Sequence, residues 1–286
     1  MRIEQQRWAP LSGGCSLKPG GFGWSHPLPS TQHDAWWEVI DAEDHELVFH
    51  LDYRDDWASG SFLKRSCTEF TSYPKTWIPI SQDVSTINAY LDHGFGTGKH
   101  GRLIDIDGSS DGNGWLDVIM VPNYGQAARS WWWSPNASAQ DLKNACAGKA
   151  WQNHQADGIT KKIASIARKA NGNLAFILNQ PEPGEDSPYF GIGVGTASIK
   201  TLLNGGSWGG IPAGPERRLV YLKLHAAPDN WTFLMVPRHG LGWHWWEAAS
   251  WNDIKTDCEA LNRRLIHIDR YGNSDDLYTA IVVQNN

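Results

Sequence analysis

The stretch Gly242-Trp243-His244-Trp245-Trp246 begins the clearest copy of a pattern that recurs along the chain. A polar segment with helical spacing follows it, and then two apolar runs at 263–269 and 278–285. A spacing of three or four residues is typical of a helix, whereas short alternating runs are typical of strands. The pattern therefore predicts an aromatic strand, a short helix, a strand, a turn and a strand.

Three more divergent copies of this pattern precede the last one, with starts roughly fifty residues apart, a period that indicates a repeat architecture. The first starts at Trp77, with a helix at 84–91, capped by Ser81 or Asp83, and strands at 102–107 and 115–121. The second starts at Trp131-Trp132-Trp133, with a helix at 139–146 and strands at 162–166 and 174–178. The third starts at Tyr189-Phe190, with a helix near 197–203 and strands at 218–224 and 231–236.

We divide one domain, residues 1–286, into a degenerate N-terminal unit (1–75) and repeats 1 to 4 (76–129, 130–187, 188–241 and 242–286). The N-terminal unit contains alternating runs at 36–40 and 46–53, which predict a hairpin. Three short strands and one helix cannot bury their apolar faces alone, so neighbouring repeats must cover them. The predicted fold class is α+β, with mainly antiparallel repeat units that each carry one short helix, arranged about a pseudo-symmetry axis.

Each aromatic start directly follows the last strand of the preceding repeat. We therefore expect the aromatic strand to pair across the repeat boundary with that preceding strand. In a strand, neighbouring side chains point to opposite faces. Trp131 and Trp133 should then share one face, with Trp132 on the other, and Trp243 and Trp245 should lie opposite His244 and Trp246.

The repeat resembles the bacterial tandem-repeat domain and the Trp-rich N-terminal domain of fungal polyglycine hydrolases. The likeness rests on Gly242-Trp243-His244-Trp245-Trp246, Arg264-Leu265-Ile266-His267-Ile268-Asp269 and Tyr278-Thr279-Ala280-Ile281-Val282-Val283. It covers about residues 76–286. In those relatives the array usually accompanies a separate serine-hydrolase domain, so the resemblance implies a fold and a binding role but no catalytic residue.

The composition bounds the classes of function. A net charge of −6 over 286 residues gives no basic footprint for nucleic acid. Residues 1–8 are polar and lack the apolar region of a secretory signal, and no apolar run is long enough to span a membrane, so we expect a cytoplasmic protein. The four cysteines are widely spaced, which favours free thiols over disulfides; they are Cys15, Cys67, Cys146 and Cys258.

Several short motifs match catalytic or metal-binding patterns but lack their context. The S-x-x-K at 61–64 has no accompanying K-T-G, and the two G-x-S-x-G matches at 205–209 and 108–112 do not follow a strand and precede a helix. The run at 107–112 begins like a calcium loop but has Val118 where the bidentate Glu belongs. The histidines form no metal-ligand frame. We therefore expect no metal and no cofactor.

Seventeen tryptophans leave the aromatic clusters as the candidate site. We predict a module that binds a peptide, a glycan or an apolar small molecule through an aromatic concavity. The predicted ligand-binding residues are Trp131, Trp132, Trp133, Arg238, His239, Trp243, His244, Trp245 and Trp246. Complete burial of every tryptophan in repeat packing would remove this prediction.

An enzyme is the alternative prediction. It would cyclise or rearrange an apolar small molecule in an aromatic-lined central pocket, with His, Asp or Arg as acid or base. A scaffold without a small ligand is a third alternative. The sequence leaves the oligomeric state open.

Overall fold

The computed structural model describes the backbone of residues 23–29, 46–54 and 57–64, and backbone and side chains through most of residues 82–284. Within that span it leaves out 109–113, 126–127, 170, 184, 186, 227–228, 273 and 275. The strands are β1 (Gly23–Pro29), β2 (Glu46–Arg54), β3 (Trp57–Lys64), β4 (Gly101–Gly108), β5 (Leu116–Pro122), β6 (Trp131–Ala137), β7 (Lys162–Arg168), β8 (Leu174–Asn179), β9 (Tyr189–Val194), β10 (Arg217–Ala226), β11 (Asn230–Pro237), β12 (Trp243–Ser250), β13 (Arg263–Arg270) and β14 (Leu277–Gln284). The helices are α1 (Val84–His93), α2 (Ala139–Cys146), α3 (Thr196–Leu203) and α4 (Trp251–Ala260).

The predicted α+β class is confirmed, with one short helix in each of repeats 1 to 4. Repeats 2, 3 and 4 each form a three-stranded antiparallel sheet, in the orders β6-β8-β7, β9-β11-β10 and β12-β14-β13. Repeat 1 contributes the pair β4-β5, and the N-terminal sheet has the order β1-β3-β2. Trp77, the predicted aromatic start of repeat 1, and the run 36–40 lie outside the described residues.

The predicted pairing of aromatic strands across repeat boundaries is wrong. Strand β9 pairs with β11 of its own repeat, and β12 pairs with β14 of its own repeat. The reason is that β8 and β11, the last strands of repeats 2 and 3, already have both edges occupied. Strand β8, for example, lies between β6 and β7, so it offers no edge to β9. Each aromatic strand therefore lies at the edge of its own sheet.

Every described hairpin contains a β-bulge at the same place, and the hairpin of repeat 3 has a second register shift near its turn. The register shifts between Leu103 and Asp105 in repeat 1, and at the same point in repeats 2, 3 and 4. The N-terminal hairpin, formed by β2 and β3, has its shift between Val48 and His50. At a bulge, two residues of one strand lie opposite one residue of its partner, and the local twist increases. This shared irregularity relates the N-terminal hairpin to the four repeats.

The helices begin at side chains that cap their N-termini. Asp83 accepts a hydrogen bond from the Thr86 amide, and Ser138 forms a capping box with Asp141. In α3 the cap residue is Gly195, and the carboxylate of Asp229, from the β10–β11 turn, accepts the Thr196 amide instead. A Cβ on Gly195 would lie 2.9 Å from an Asp229 oxygen. Glycine at the cap position therefore leaves room for the Asp229 carboxylate to cap the helix. None of the described helices has the length and apolarity needed to cross a membrane.

The chain divides into two compact units, with repeats 1 and 2 in the first and repeats 3 and 4 in the second. In each unit the first hairpin strand of one repeat packs against both hairpin strands of the next: β4 against β7 and β8, and β10 against β13 and β14. The N-terminal strand β2 packs against β4 and β5 in the same way. Neighbouring repeats thus supply the cover that one repeat lacks.

Candidate functional site

The tryptophans of the two aromatic clusters are neither fully buried nor fully exposed. All six are half-buried, and His244 between them is exposed. Within the described residues, β6 and β12 are edge strands that each pair with one neighbouring strand. Burial alone therefore does not assign all of these rings to repeat packing.

Trp131 and Trp133 lie on the same face of β6, as predicted. Both pack against the apolar core that repeats 1 and 2 share, which includes Ile87, Leu103 and Ile177. Trp132 takes the opposite face, where the Lys161 ammonium lies 4.4 Å from its ring centroid. Trp131 and Trp133 therefore contribute to packing between repeats, and Trp132 forms a cation–π pair.

The pair of Trp132 and Lys161 recurs at the same sheet position in later repeats. Equivalent positions in the three sheets are occupied by Trp132, Tyr189 and His244. Each pairs with a residue of the last strand of its repeat, and that same residue pairs on its other side with the hairpin residue just before the bulge. Arg217 lies 4.9 Å from the ring centroid of Tyr189. The equivalent cation in repeat 4 is Arg263, and its charge acts on His244.

The three cations are held in different ways. Lys161 is buried and forms an ion pair of 2.6 Å with Asp157. Arg217 is buried and donates to the carbonyl oxygens of Leu202, Gly206 and Pro212 at 3.0, 3.1 and 2.6 Å. Arg263 forms a 2.7 Å ion pair with Asp257, and these two side chains stay 19% and 27% exposed. The cation is thus most accessible in repeat 4.

Repeat 4 is an open version of this arrangement. The imidazole of His244 contacts the ring of Trp246 edge-on, with centroids 4.6 Å apart, and Trp246 packs on the apolar core of repeat 4. Partial burial and the positive charge of Arg263 lower the pKa of His244, while Asp257 opposes them. We name His244, Trp246, Asp257 and Arg263 the open cluster. It combines a neutral imidazole, an indole ring and an accessible ion pair.

The structure places Arg238 and His239 in the turn that leads into β12. The Arg238 guanidinium donates to a Glu216 carboxylate oxygen at 2.6 Å and to the Leu241 carbonyl at 3.1 Å. His239 is exposed and has a φ of 50°, in the left-handed region. Arg238 is therefore engaged in fixing this turn, and Asp257 and Arg263 are the charged residues next to His244.

Sequence reasoning missed a set of polar residues in the hairpins. They are the first paired residues after each bulge, which we call post-bulge residues: Asp105, Ser165, Tyr221 and His267. All four are buried. The signal was available, because each is a polar or hydroxyl-bearing residue at the same place in an apolar run.

The post-bulge residues connect neighbouring repeats within each unit. The Ser165 hydroxyl donates to an Asp105 carboxylate oxygen at 2.7 Å and accepts from the Ile106 amide at 3.3 Å. His267 Nε2 lies 2.8 Å from the Leu222 carbonyl oxygen, so this nitrogen carries the donated proton. The rings of His267 and Tyr221 are 4.8 Å apart. Ile106 and Leu222 are equivalent residues, so both units connect their repeats at the same position, through the amide of Ile106 in one and the carbonyl of Leu222 in the other.

The short sequence motifs that match catalytic patterns lie in backbone conformations that do not suit catalysis. The S-x-x-K at 61–64 lies in strand β3, where a spacing of three does not bring two residues together as it does on a helix. The stretch 205–209 follows helix α3, and most of 107–112 lies outside the described residues. In the described part of the chain, no three His, Cys, Asp or Glu side chains are grouped to hold a metal ion.

Two of the four cysteines are described. Cys146 is half-buried and Cys258 is buried, and both are free thiols, as predicted. Cys15 and Cys67 lie outside the described residues. Known proteins add nothing to this description of the site: no family model, no curated protein and no solved structure matches the chain.

Proposed function

We propose that the chain is a ligand-binding repeat module, with the open cluster of repeat 4 as its binding surface. The observation that supports this proposal is the comparison between equivalent positions. In repeats 2 and 3 a buried cation lies against an aromatic ring. In repeat 4 the ring is replaced by the exposed imidazole of His244, and the cation Arg263 is partly accessible.

The chemistry of the open cluster defines the ligand class. Trp246 offers an indole ring that suits an apolar or CH-rich face, as in an aromatic side chain or a sugar ring. His244 is neutral near pH 7, because its pKa is lowered, so it both donates and accepts hydrogen bonds. Arg263 suits a carboxylate or another acceptor. We therefore expect a ligand with one flat apolar face and one acceptor-rich edge.

The experiment begins with native mass spectrometry of the purified protein, which detects a co-purifying ligand. Intrinsic tryptophan fluorescence then measures its affinity. His244→Tyr copies repeat 3 and Trp246→Ser copies Ser134, the residue that occupies the equivalent position in repeat 2. Each substitution should weaken binding about tenfold or more, the scale of one lost stacking or charge-assisted contact.

Tyr189→Phe is the matched control, because it changes the equivalent position in repeat 3 and keeps a ring against Arg217. It should leave the affinity unchanged. Retention of full affinity by both His244→Tyr and Trp246→Ser would overturn the proposal.

An enzyme is a second candidate, favoured by one observation. His244 is exposed, neutral near pH 7 and close enough to Asp257 for the carboxylate to act on its pKa. A positioned neutral imidazole is the state that a general base needs. The test is incubation of the identified ligand with the wild-type protein and with His244→Gln. A ligand whose mass and chromatographic retention stay the same with the wild type contradicts an enzymatic role.

A further inference from the structure

The segment between helix and cation is long in repeats 2 and 3 and folds in the same way in both. It spans 147–160 before Lys161 in repeat 2 and 204–216 before Arg217 in repeat 3. Each segment begins with a turn at a glycine of positive φ, followed by a tryptophan that exchanges two backbone hydrogen bonds with a later residue. The residues concerned are Gly148, Trp151 and His154 in repeat 2, and Gly205, Trp208 and Ile211 in repeat 3. We call these two segments the cover loops.

Each cover loop supplies hydrogen-bond acceptors to the buried cation of its repeat. Arg217 donates to the carbonyl oxygens of Gly206 and Pro212 at 3.1 and 2.6 Å. In repeat 2, Lys161 donates to the carbonyl oxygen of Ile159 at 3.2 Å. A buried cation needs such acceptors, because burial removes it from water. Backbone carbonyl groups of the cover loop are therefore part of the site that holds the cation.

Repeat 4 has no cover loop, because only residues 261–262 separate α4 from Arg263. In the described part of the chain, the structure shows one acceptor for the Arg263 side chain, the carboxylate of Asp257. Counted from the N-cap, Asp257 takes the position along α4 that Leu202 takes along α3. The Leu202 carbonyl is the acceptor that Arg217 finds outside its loop. The two loop carbonyl groups thus have no counterpart among the described residues of repeat 4.

The aromatic ring of the cover loop does have a counterpart in repeat 4. In repeat 2 the ring of Trp151 lies 5.3 Å from that of Phe176, which pairs with Ser134. In repeat 4 these two paired positions hold Ala280 and Trp246. A ring from the strand therefore replaces a ring from the loop. Repeat 4 keeps the aromatic surface and lacks the loop backbone.

A proline-containing peptide in an extended conformation matches what repeat 4 offers. In a polyproline II helix the backbone carbonyl groups have no internal partner, and proline rings pack against aromatic side chains. The guanidinium of Arg263 has donors only, so backbone carbonyl groups suit it. The cover loop of repeat 3 gives an internal precedent, because its residues 211–216 read Ile-Pro-Ala-Gly-Pro-Glu and the Pro212 carbonyl oxygen accepts from Arg217.

We propose that the ligand of the open cluster is a proline-containing peptide segment of another protein, bound in an extended conformation. Its carbonyl oxygens accept from Arg263, as the carbonyl of Pro212 accepts from Arg217, and a proline ring packs on Trp246. The Arg263 side chain is 19% exposed, and Leu261, two residues before it, is 47% exposed. The inference rests on the proposed function and names the ligand class of that same surface.

Titration of the intact protein with a capped synthetic peptide of residues 209–215 tests this inference. The peptide, Gly-Gly-Ile-Pro-Ala-Gly-Pro, has no tryptophan, so the tryptophan fluorescence of the protein reports its binding. We expect a dissociation constant of about 1 mM or less. Arg263→Gln should raise it at least about tenfold, because it removes a charged donor. Lys255→Gln is the matched control, since it removes an exposed charge from α4, and it should leave the affinity unchanged.

A second peptide, with alanine in place of both prolines, is measured on the wild-type protein and so does not depend on the folding of Arg263→Gln. It should bind at least about threefold more weakly, because it is less pre-organised. Equal binding of the two peptides, or binding that Arg263→Gln leaves unchanged, would overturn the inference. So would no binding at all, which is also the result if a part of this chain outside the described residues occupies the site.

The co-purifying ligand separates this inference from the proposed function. If that ligand needs His244 and Trp246 while neither peptide binds, the ligand class is wrong and the binding surface stands. If neither the ligand nor the peptides need the open cluster, both proposals fail.

Discussion

Glu185 Oε2 lies 2.7 Å from Lys162 Nζ, with both side chains almost completely buried. The same oxygen lies 2.7 Å from the guanidinium of Arg129, which is buried too. Lys162 begins the first hairpin strand of repeat 2, and Glu185 follows the last strand of that repeat. The carboxylate therefore balances two buried cations and fixes the end of the repeat.

We predict that Glu185→Gln destabilises the first unit by about 3–5 kcal/mol, the cost of removing one partner from a buried ion pair. Chemical denaturation measures this change, and Glu182→Gln, three residues away, is the control. Equal stability of the two variants would contradict the assigned role.

The pH dependence has a definite sign. Burial opposes ionisation of Glu185, but the hydrogen bond and charge of Lys162 outweigh it and lower the pKa below 4.5. A lowered carboxyl pKa contributes stability that is present above pH 4.5 and is lost as the pH falls through the lowered value. The wild type should therefore lose stability on acidification below pH 4.5 more steeply than Glu185→Gln.

Replacement of His244 by Trp should convert repeat 4 to the closed arrangement of repeat 2. Arg263 could then stack on the indole, with a gain of about 0.5–1 kcal/mol in the free energy of unfolding. The same change should abolish ligand binding, because it fills the open cluster. Thermal unfolding and the ligand titration check the two effects, and a variant that keeps full affinity contradicts the prediction.

The pKa of His244 should depend on Arg263. Partial burial and Arg263 both lower this pKa, so Arg263→Gln should raise it toward 6.5. Histidine side-chain NMR titration measures the shift. Because a lowered histidine pKa favours the neutral form in the folded state, its contribution to stability is complete above pH 6.5 and is lost as the pH falls through the folded-state pKa. Arg238→Gln is the control, and it should leave the pKa unchanged.

Substitution of Ser165 by Ala should weaken the connection between repeats 1 and 2. It removes the donor to Asp105 and the acceptor of the Ile106 amide, so we expect a loss of about 1–3 kcal/mol. Denaturant titration measures it. Ser198→Ala, on α3 in the other unit, is the control, and a similar loss there would argue against a specific connection.

Cys146 and Cys258 should not react with thiol reagents in the native protein. Burial raises the pKa of each thiol to about 12, so neither forms much thiolate at pH 8. Alkylation of the native protein followed by peptide mass spectrometry measures the modification of each of these two thiols. Modification of Cys258 before the protein unfolds would contradict its placement.

The local structure was predictable because the local signals are strong. Helix α2 has the predicted bounds, since Ser138 and Asp141 form a capping box that marks its start. The pairing of the aromatic strands was not predictable in this way, because alternation places side chains on faces but does not say which strand is the neighbour. Only the occupied edges of β8 exclude β9.

The candidate site was predictable only in part. The aromatic run named Trp246 and His244, but Asp257 and Arg263 lie on α4 and β13 and come near His244 through folding. The post-bulge residues were obscured by strict alternation, which would place Leu103 and Asp105 on one face. The bulge separates them: Leu103 packs in the apolar core, and Asp105 bonds to Ser165 of the next repeat.

At the shared bulge, the first strand of each described hairpin has one more residue than the facing stretch of its partner strand. If Ile104 were removed, Leu103 and Asp105 would become neighbours in sequence. They would still face Met120 and Ile119, which are neighbours in sequence already. All other side chains of the hairpin would keep their faces. We expect such a position to tolerate a change in chain length better than the rest of the strand, where an insertion or a deletion would exchange inside for outside. The array thus carries a built-in point of length variation in every hairpin, through which copies of the repeat can diverge in sequence and still interlock.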